Sequence, residues 1–165
     1  MTLTERETKR GEIMLHKLIE EAAGNRPLVP GVRYGKKSKY FVIGDFPTQK
    51  DLVVGQPFSG PMGEVLSMTL STLGQKESAE MEDVYATYLV KAIYGQGEMS
   101  EKMIIESWLP IAQLEYALSG CDRVVAIGKV SKMFAGYVVI RPSVLSPVKP
   151  GIMDKAREIW RTLKS

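Results

Sequence analysis

Apolar positions along the chain follow two rhythms. In residues 4–23, Leu15, Leu18, Ile19 and Ala22 recur at i, i+3, i+4 and i+7, which puts them on one stripe of a helix. Thr4 and Glu7 have capping-box spacing and Gly24 suits the residue just past a helix end, so the pattern predicts a helix over 4–23. Pro27, Pro30, Gly31 and Gly35 then punctuate a loop over 25–38. The rhythm changes at Tyr40-Phe41-Val42-Ile43, a short continuous apolar run that stops at Gly44, as a strand buried on both faces does. A long loop is expected over 45–60. A helix follows over 61–73, with Met62, Leu66, Leu70 and Leu73 on one face. A second strand is expected over Val84–Val90, and a helix over 100–119 with Ser100 as its N-cap. Pro110 should kink or split that helix, because proline lacks the backbone donor and its ring clashes with the preceding turn. A third strand covers 123–127 and again ends in glycine, Gly128. A short helix at 129–135, a strand at 137–140 and a last helix at 152–164 complete the pattern.

Strands alternating with helices imply right-handed crossovers and a parallel sheet. The expected fold is a single α/β domain, a three-layer α/β/α sandwich around a four-stranded parallel sheet. Its 165 residues, 44% of them apolar, are enough for one ordinary core. Composition mainly excludes. No apolar run approaches the length of a membrane span, and the charged N-terminus does not read as a secretory signal, so the expected setting is cytoplasmic and soluble. One cysteine, Cys121, rules out an internal disulfide and a multi-cysteine metal cage within one chain. It reads as a small buried side chain. The single histidine, His16, lies on a helix between Leu15 and Lys17 and reads as a surface or boundary residue. The net charge of +3 is compatible with nucleic acid without indicating it. Arg33, Lys36, Lys37 and Lys39 have two readings, a solvated basic loop or a phosphate contact.

In such a sheet ligands sit beyond the carboxyl ends of the strands. Four segments should reach that edge: 44–60, 88–97, 128–131 and 141–147. The first carries unusually dense punctuation: Gly44, Pro47, Gly55, Pro57, Gly60, Pro61 and Gly63. Glycine permits close approach of a ligand to the backbone, and a helix starting near Pro61 would turn its free N–H groups to the same edge. The segment is neither a Walker loop nor a dinucleotide fingerprint, because the Gly-Lys-Ser/Thr ending and the required glycine spacing are absent.

Gly44, Pro47, Gly55, Pro57, Phe58, Gly60 and Gly63 follow without gaps the pattern Gly-Glu-x-Pro-Gly, spacer, Gly-x-Pro-Phe-x-Gly-x-x-Gly. In this the chain resembles the uracil-DNA glycosylase superfamily, most closely its iron–sulfur branch. Three further segments resemble that family in the correct order: Val84 to Lys91, Val125-Ala126-Ile127-Gly128, and Arg141-Pro142-Ser143-Val144-Leu145-Ser146. The resemblance covers roughly residues 38–165. It implies an enzyme that flips a nucleotide from DNA and hydrolyses the glycosidic bond of uracil or another altered pyrimidine. Phe58 would stack on the base, with Phe46 and Tyr88 lining the pocket. Asp45, where the family usually has glutamate, would orient water at the sugar and offset its developing positive charge. Arg141 stands at the position of the catalytic histidine. Pro142 and Ser143 would pinch phosphates, Leu145 would wedge into the stack, and Lys129 and Gly60 would contact DNA.

The departures from the family are specific. Ala92 and Trp108 occupy two cluster-cysteine positions, so no iron–sulfur cluster and no other cofactor is expected. Tyr88 replaces the asparagine that reads uracil, and a phenol does not reproduce an amide's paired donor and acceptor. Arg141 keeps a charge but is no general acid. Asp45 can equally cap a turn, Phe58 and Tyr88 can belong to the core, Arg141 can form a surface ion pair, and Leu145 can simply be exposed. The alternative function is therefore a weakened or inactive module of the same fold that binds DNA, a nucleotide or a protein partner. DNA, single- or double-stranded, is the expected partner and a membrane is not.

Overall fold

A computed structural model describes residues 4–36, 39–60, 62–64, 66–67, 81–127 and 146–147. The elements in chain order are α1 (Glu5–Ala23), β1 (Val32–Arg33), β2 (Tyr40–Gly44), α2 (Gln49–Val54), a 3-10 turn at Met81–Asp83, β3 (Val84–Tyr88), α3 (Glu101–Ser119), β4 (Arg123–Ala126) and β5 (Ser146–Pro147). Residues 62–64 and 66–67 are also helical, inside the span where the 61–73 helix was expected. The expected elements at 129–135, 137–140 and 152–164 lie outside the described residues.

The sheet runs β1-β3-β2-β4-β5 and its centre is parallel. Strand β2 pairs with β3 from Tyr40↔Val84 to Gly44↔Tyr88, and with β4 from Tyr40↔Arg123 to Ile43↔Ala126. The fold is thus α/β with an open, mostly parallel sheet. Three of the four strands expected in parallel are among the described residues, and the fourth, at 137–140, lies outside them. Three parallel strands form the centre, and the two-residue strands β1 and β5 flank it in antiparallel pairing. Strand β1 falls in the stretch read as a loop. Two residues, one of them the exposed Arg33, carry no apolar run that periodicity could detect.

Local chemistry explains the elements that position the sheet ends. Helix α1 starts where expected: the Thr4 hydroxyl accepts from the Glu7 N–H, and the Glu7 carboxylate accepts from the Thr4 N–H. Helix α3 starts at Ser100, whose hydroxyl accepts from the Met103 N–H at 3.2 Å. It runs through Pro110 as one helix, so of the two expected outcomes, a kink or a split, the split does not occur. Pro110 and Glu106, the residue four positions earlier whose carbonyl loses its usual partner, are both exposed, so the lost hydrogen bond lies on the solvent side of the helix. The buried face of α3 lies on the sheet. Phe41 stacks on Tyr85 at 5.4 Å and meets Tyr116 of α3 edge-on at 5.1 Å. Leu15 and Leu18 of α1 pack in turn on Leu114 and Leu118 of α3. Trp108 and Ala92, at the two positions where the resemblance puts cluster cysteines, are buried members of the core.

Behind β3 lies a charged cluster that hydrophobic patterning missed. Lys91 and Glu115 are buried and paired at 2.7 Å. The Lys91 ammonium also donates to the Tyr88 carbonyl at 2.7 Å, while Tyr85 and Thr87 hydroxyls donate to the Glu115 carboxylate at 2.8 and 3.1 Å. The glycine at 31 is required here, because a Cβ would sit 2.6 Å from Glu115 Oε2 and 2.9 Å from Thr87 Oγ1. The signal for Glu115 was present in the sequence: it continues the buried helical series Ile104, Trp108, Ile111.

The fold also separates Arg33 and Lys39 from the strand ends that were expected to hold the chemistry. The Lys39 carbonyl accepts from Asp122 and Arg123 N–H groups, at the amino ends of β2 and β4. At about 3.3 Å per residue, β2 sets Lys39 roughly 20 Å from Asp45. Arg33 donates to the Ser119 carbonyl at 2.9 Å, and its guanidinium lies 5.3 Å from the Tyr85 ring centre. Arg33 and Lys39 therefore belong to the edge opposite Asp45, and Arg33 fastens the end of α3.

Candidate functional site

The carboxyl edge of β2 and β3 gathers the candidate residues. Strand β2 ends at Gly44, whose carbonyl accepts the Leu89 N–H at 2.8 Å. The next carbonyl, of Asp45, accepts the Val90 N–H at 3.1 Å. These bonds prolong the β2–β3 pairing past the last strand residue and fix the backbone of Asp45. The Asp45 side chain is half-buried at this edge, and Phe46 is half-buried against the core.

The stretch expected to be loop contains α2, a helix of under two turns. Thr48 caps it, and its capping box is reciprocal: Thr48 Oγ1 accepts from the Asp51 N–H at 3.2 Å, and Asp51 Oδ2 accepts from the Thr48 N–H at 2.8 Å. Asp51 does more than close that box. It is fully buried, its Oδ1 accepts from the Ser59 N–H at 2.8 Å, and its Oδ2 accepts from the Tyr88 hydroxyl at 2.7 Å. One carboxylate thus ties the start of α2, the turn after it and the end of β3 together. Sequence reading passed over Asp51. The Thr-x-x-Asp spacing was the available signal.

Phe58 is held in this arrangement by backbone as well as by side chains. Its φ of 58° makes it the one non-glycine residue with positive φ among those described. Its N–H donates to the Tyr88 hydroxyl at 3.0 Å, and its ring centre lies 4.9 Å from that of Tyr88 at a 39° tilt. Gly44 is what permits this approach: a Cβ there would stand 2.9 Å from Phe58 Cε1 and 3.0 Å from the Tyr88 ring. Gly63 serves the same turn, since its Cβ would meet the Phe58 carbonyl oxygen at 2.5 Å. Gly60 accepts the Gly63 N–H at 2.9 Å and lies beside the Thr48 hydroxyl.

The electrostatics follow from these contacts. Burial works to raise the Asp51 carboxyl, but the donors from Thr48, Tyr88 and Ser59 outweigh it and hold its pKa below the usual carboxylate range. Burial, together with the hydrogen bond to Asp51, pushes the Tyr88 phenol well above its ordinary value, so Tyr88 remains a donor. Because the folded-state value of Asp51 is depressed, its contribution is fully present above the unfolded value near ~4 and is lost as pH falls through the folded value. Asp51→Asn should lower stability at pH 7 by roughly 2–3 kcal/mol, the scale of hydrogen bonds to a charged group. It should also flatten the loss of stability below about pH 4. Urea unfolding at pH 7 and pH 3 measures both, and a variant with wild-type acid sensitivity contradicts the assignment.

The structure therefore brings together Asp45, Phe46, Phe58, Gly60 and Tyr88 at one edge, and adds Thr48, Asp51 and Ser59. Lys129, Arg141, Pro142, Ser143 and Leu145 lie outside the described residues. Cys121 is buried, and burial pushes its thiol up to about 11. His16 pairs with Glu20 on the exposed side of α1. Among the described residues no group of three or more His, Cys, Asp or Glu is placed to hold a metal ion, and no helix is long and apolar enough to cross a membrane. The chain matches no known family model and no curated protein sequence.

Proposed function

We propose that the chain is a base-excising hydrolase of the uracil-DNA glycosylase type, acting on uracil or another altered pyrimidine in DNA. The observation that carries this reading is the placement of Asp45 and Phe58 at the carboxyl edge of adjacent parallel strands, where α/β sheets bind their ligands. Asp45 follows the last residue of β2 with its backbone fixed and its side chain half-exposed. In the proposed reaction the glycosidic C–N bond breaks and the base leaves with the bonding electrons. Water then forms the new bond to the sugar carbon, and its proton passes to solvent or the departing base. A carboxylate at Asp45 favours this path twice, by orienting the water and by opposing the positive charge on the sugar. Arg141, with Pro142 and Ser143, would neutralise flanking phosphates, as would Lys129. Leu145 would fill the space that the base vacates.

A second reading, a pocket-bearing module without turnover that binds DNA, a nucleotide or a protein partner, is favoured by the contact between Phe58 and Tyr88. The test is alkaline strand cleavage on oligonucleotides carrying uracil, hydroxymethyluracil, hypoxanthine or xanthine. Cleavage specific to one altered base supports the hydrolase. DNA or nucleotide binding with no base release from any of them supports the module.

A further inference from the structure

We infer that Tyr88 is a gating residue of this site, occupying the face of Phe58 that a planar pyrimidine would need. The inference rests on the reading just given and adds what controls access to the site. Three independent features converge on the closed arrangement. The rings of Phe58 and Tyr88 are in contact, and the two residues retain 6% and 1% exposure, so Phe58 presents little ring surface to an incoming base. The Tyr88 hydroxyl is engaged on both sides, donating to buried Asp51 and accepting from the Phe58 N–H. The backbone is adapted to the same contact: Phe58 is held at positive φ, and Gly44 and Gly63 supply the clearance. A non-glycine residue at positive φ persists where its surroundings enforce it, and such positions cluster at ligand clamps and switches.

The ligand class follows from the geometry. Tyr88 lays one flat six-membered ring on Phe58 and occupies a hydrogen-bond acceptor on Asp51. A pyrimidine presenting a ring N–H could take over both contacts once the tyrosine ring swings away. Purines, with a second fused ring, fit this exchange less well. Tyr88 is a gating residue and takes no part in bond breaking.

The experiment compares the full chain with Tyr88→Phe and Tyr88→Ala, using single-stranded DNA oligonucleotides of adenine that carry one uracil or, as control, adenine at that position. Binding anisotropy and base release are both read, with exchange of the Phe58 amide followed by NMR. Tyr88→Phe keeps the ring and removes the ties to Asp51 and Phe58, so the Phe58 amide should exchange at least about tenfold faster. Tyr88→Ala exposes a face of Phe58 and should raise the uracil-over-adenine binding ratio by about tenfold, within the range of a base stacking on an aromatic ring. If Tyr88→Ala does not fold, a smaller rise in Tyr88→Phe carries the same conclusion. Uracil preference that rises without base release supports the gate and overturns the hydrolase reading. Wild-type release of uracil that is unchanged or slower in both variants overturns the gate and leaves the hydrolase standing. No discrimination and no release in any of the three proteins overturns both.

Discussion

On the proposed hydrolase reading, Asp45→Asn is expected to slow base release by about 10² to 10³-fold, the scale seen when one preorganised electrostatic group is removed from a transition state. The substitution keeps size and shape. It leaves the backbone bond from the Val90 N–H to the Asp45 carbonyl in place, so the strand end should not move. On the same reading binding to DNA should be retained, because phosphate contacts elsewhere would provide most of the affinity and removal of a negative charge would not weaken them. The effect should therefore fall on the rate of the chemical step under saturating enzyme. Single-turnover kinetics on a uracil-bearing oligonucleotide separate that rate from binding. Unchanged turnover would remove Asp45 from the mechanism.

Lys91→Met should destabilise the fold by about 3–5 kcal/mol, the cost of leaving one member of a buried ion pair without its partner. Glu115 would keep the Tyr85 and Thr87 hydroxyls, but its charge would be unopposed in a space from which water is excluded. The loss should shrink when Glu115→Gln is added, because a neutral amide retains an acceptor for those hydroxyls and no longer needs the ammonium. Urea unfolding of both proteins gives the comparison. A single variant that loses less than about 1 kcal/mol, or a double variant that is less stable than the single one, would mean the pair contributes little as a pair. Lys91 also holds the Tyr88 carbonyl, so the end of β3 should loosen with it.

Features written in one local stretch of sequence were the most legible. The capped start of α1 and the run of β2 needed only nearest-neighbour patterns, and both stand where expected. The second strand was drawn two residues too long for the same reason. Leu89 and Val90 are apolar and buried, and their N–H groups still bond to Gly44 and Asp45, although the ladder formally ends at Tyr88. What escaped depends on partners far apart in the chain. Lys91 and Glu115 each sit in an apolar neighbourhood; helical spacing marks the face of Glu115, but its pairing with Lys91 is visible only when β3 and α3 meet. Asp51 looked like loop polarity, since nothing in its own neighbourhood announces Tyr88 as a partner. Of the residues expected at the site, Asp45, Phe46, Phe58, Gly60 and Tyr88 share one sheet edge, while Lys129, Arg141, Pro142, Ser143 and Leu145 lie outside the described residues. The contact of Tyr88 with Phe58 was not legible, because it depends on a positive φ at a phenylalanine that no residue preference would predict.

The central position of β2 has a consequence for how the chain is made. Both of its parallel neighbours come later in the sequence, β3 on one side and β4 on the other. Tyr40-Phe41-Val42-Ile43 is uncharged and rich in residues that favour extended pairing, the kind of segment that associates with its like when left uncovered. During synthesis at about 5–20 residues per second, the roughly 40 residues between β2 and the end of β3 take some 2–8 s to emerge. Through that interval the innermost strand of the finished sheet has neither parallel neighbour. Its first shelter must come from residues already made, among them the apolar stripe of α1, or from a chaperone. Yield on expression should accordingly depend on the rate of translation across residues 45–88 more than on the stability of the completed fold.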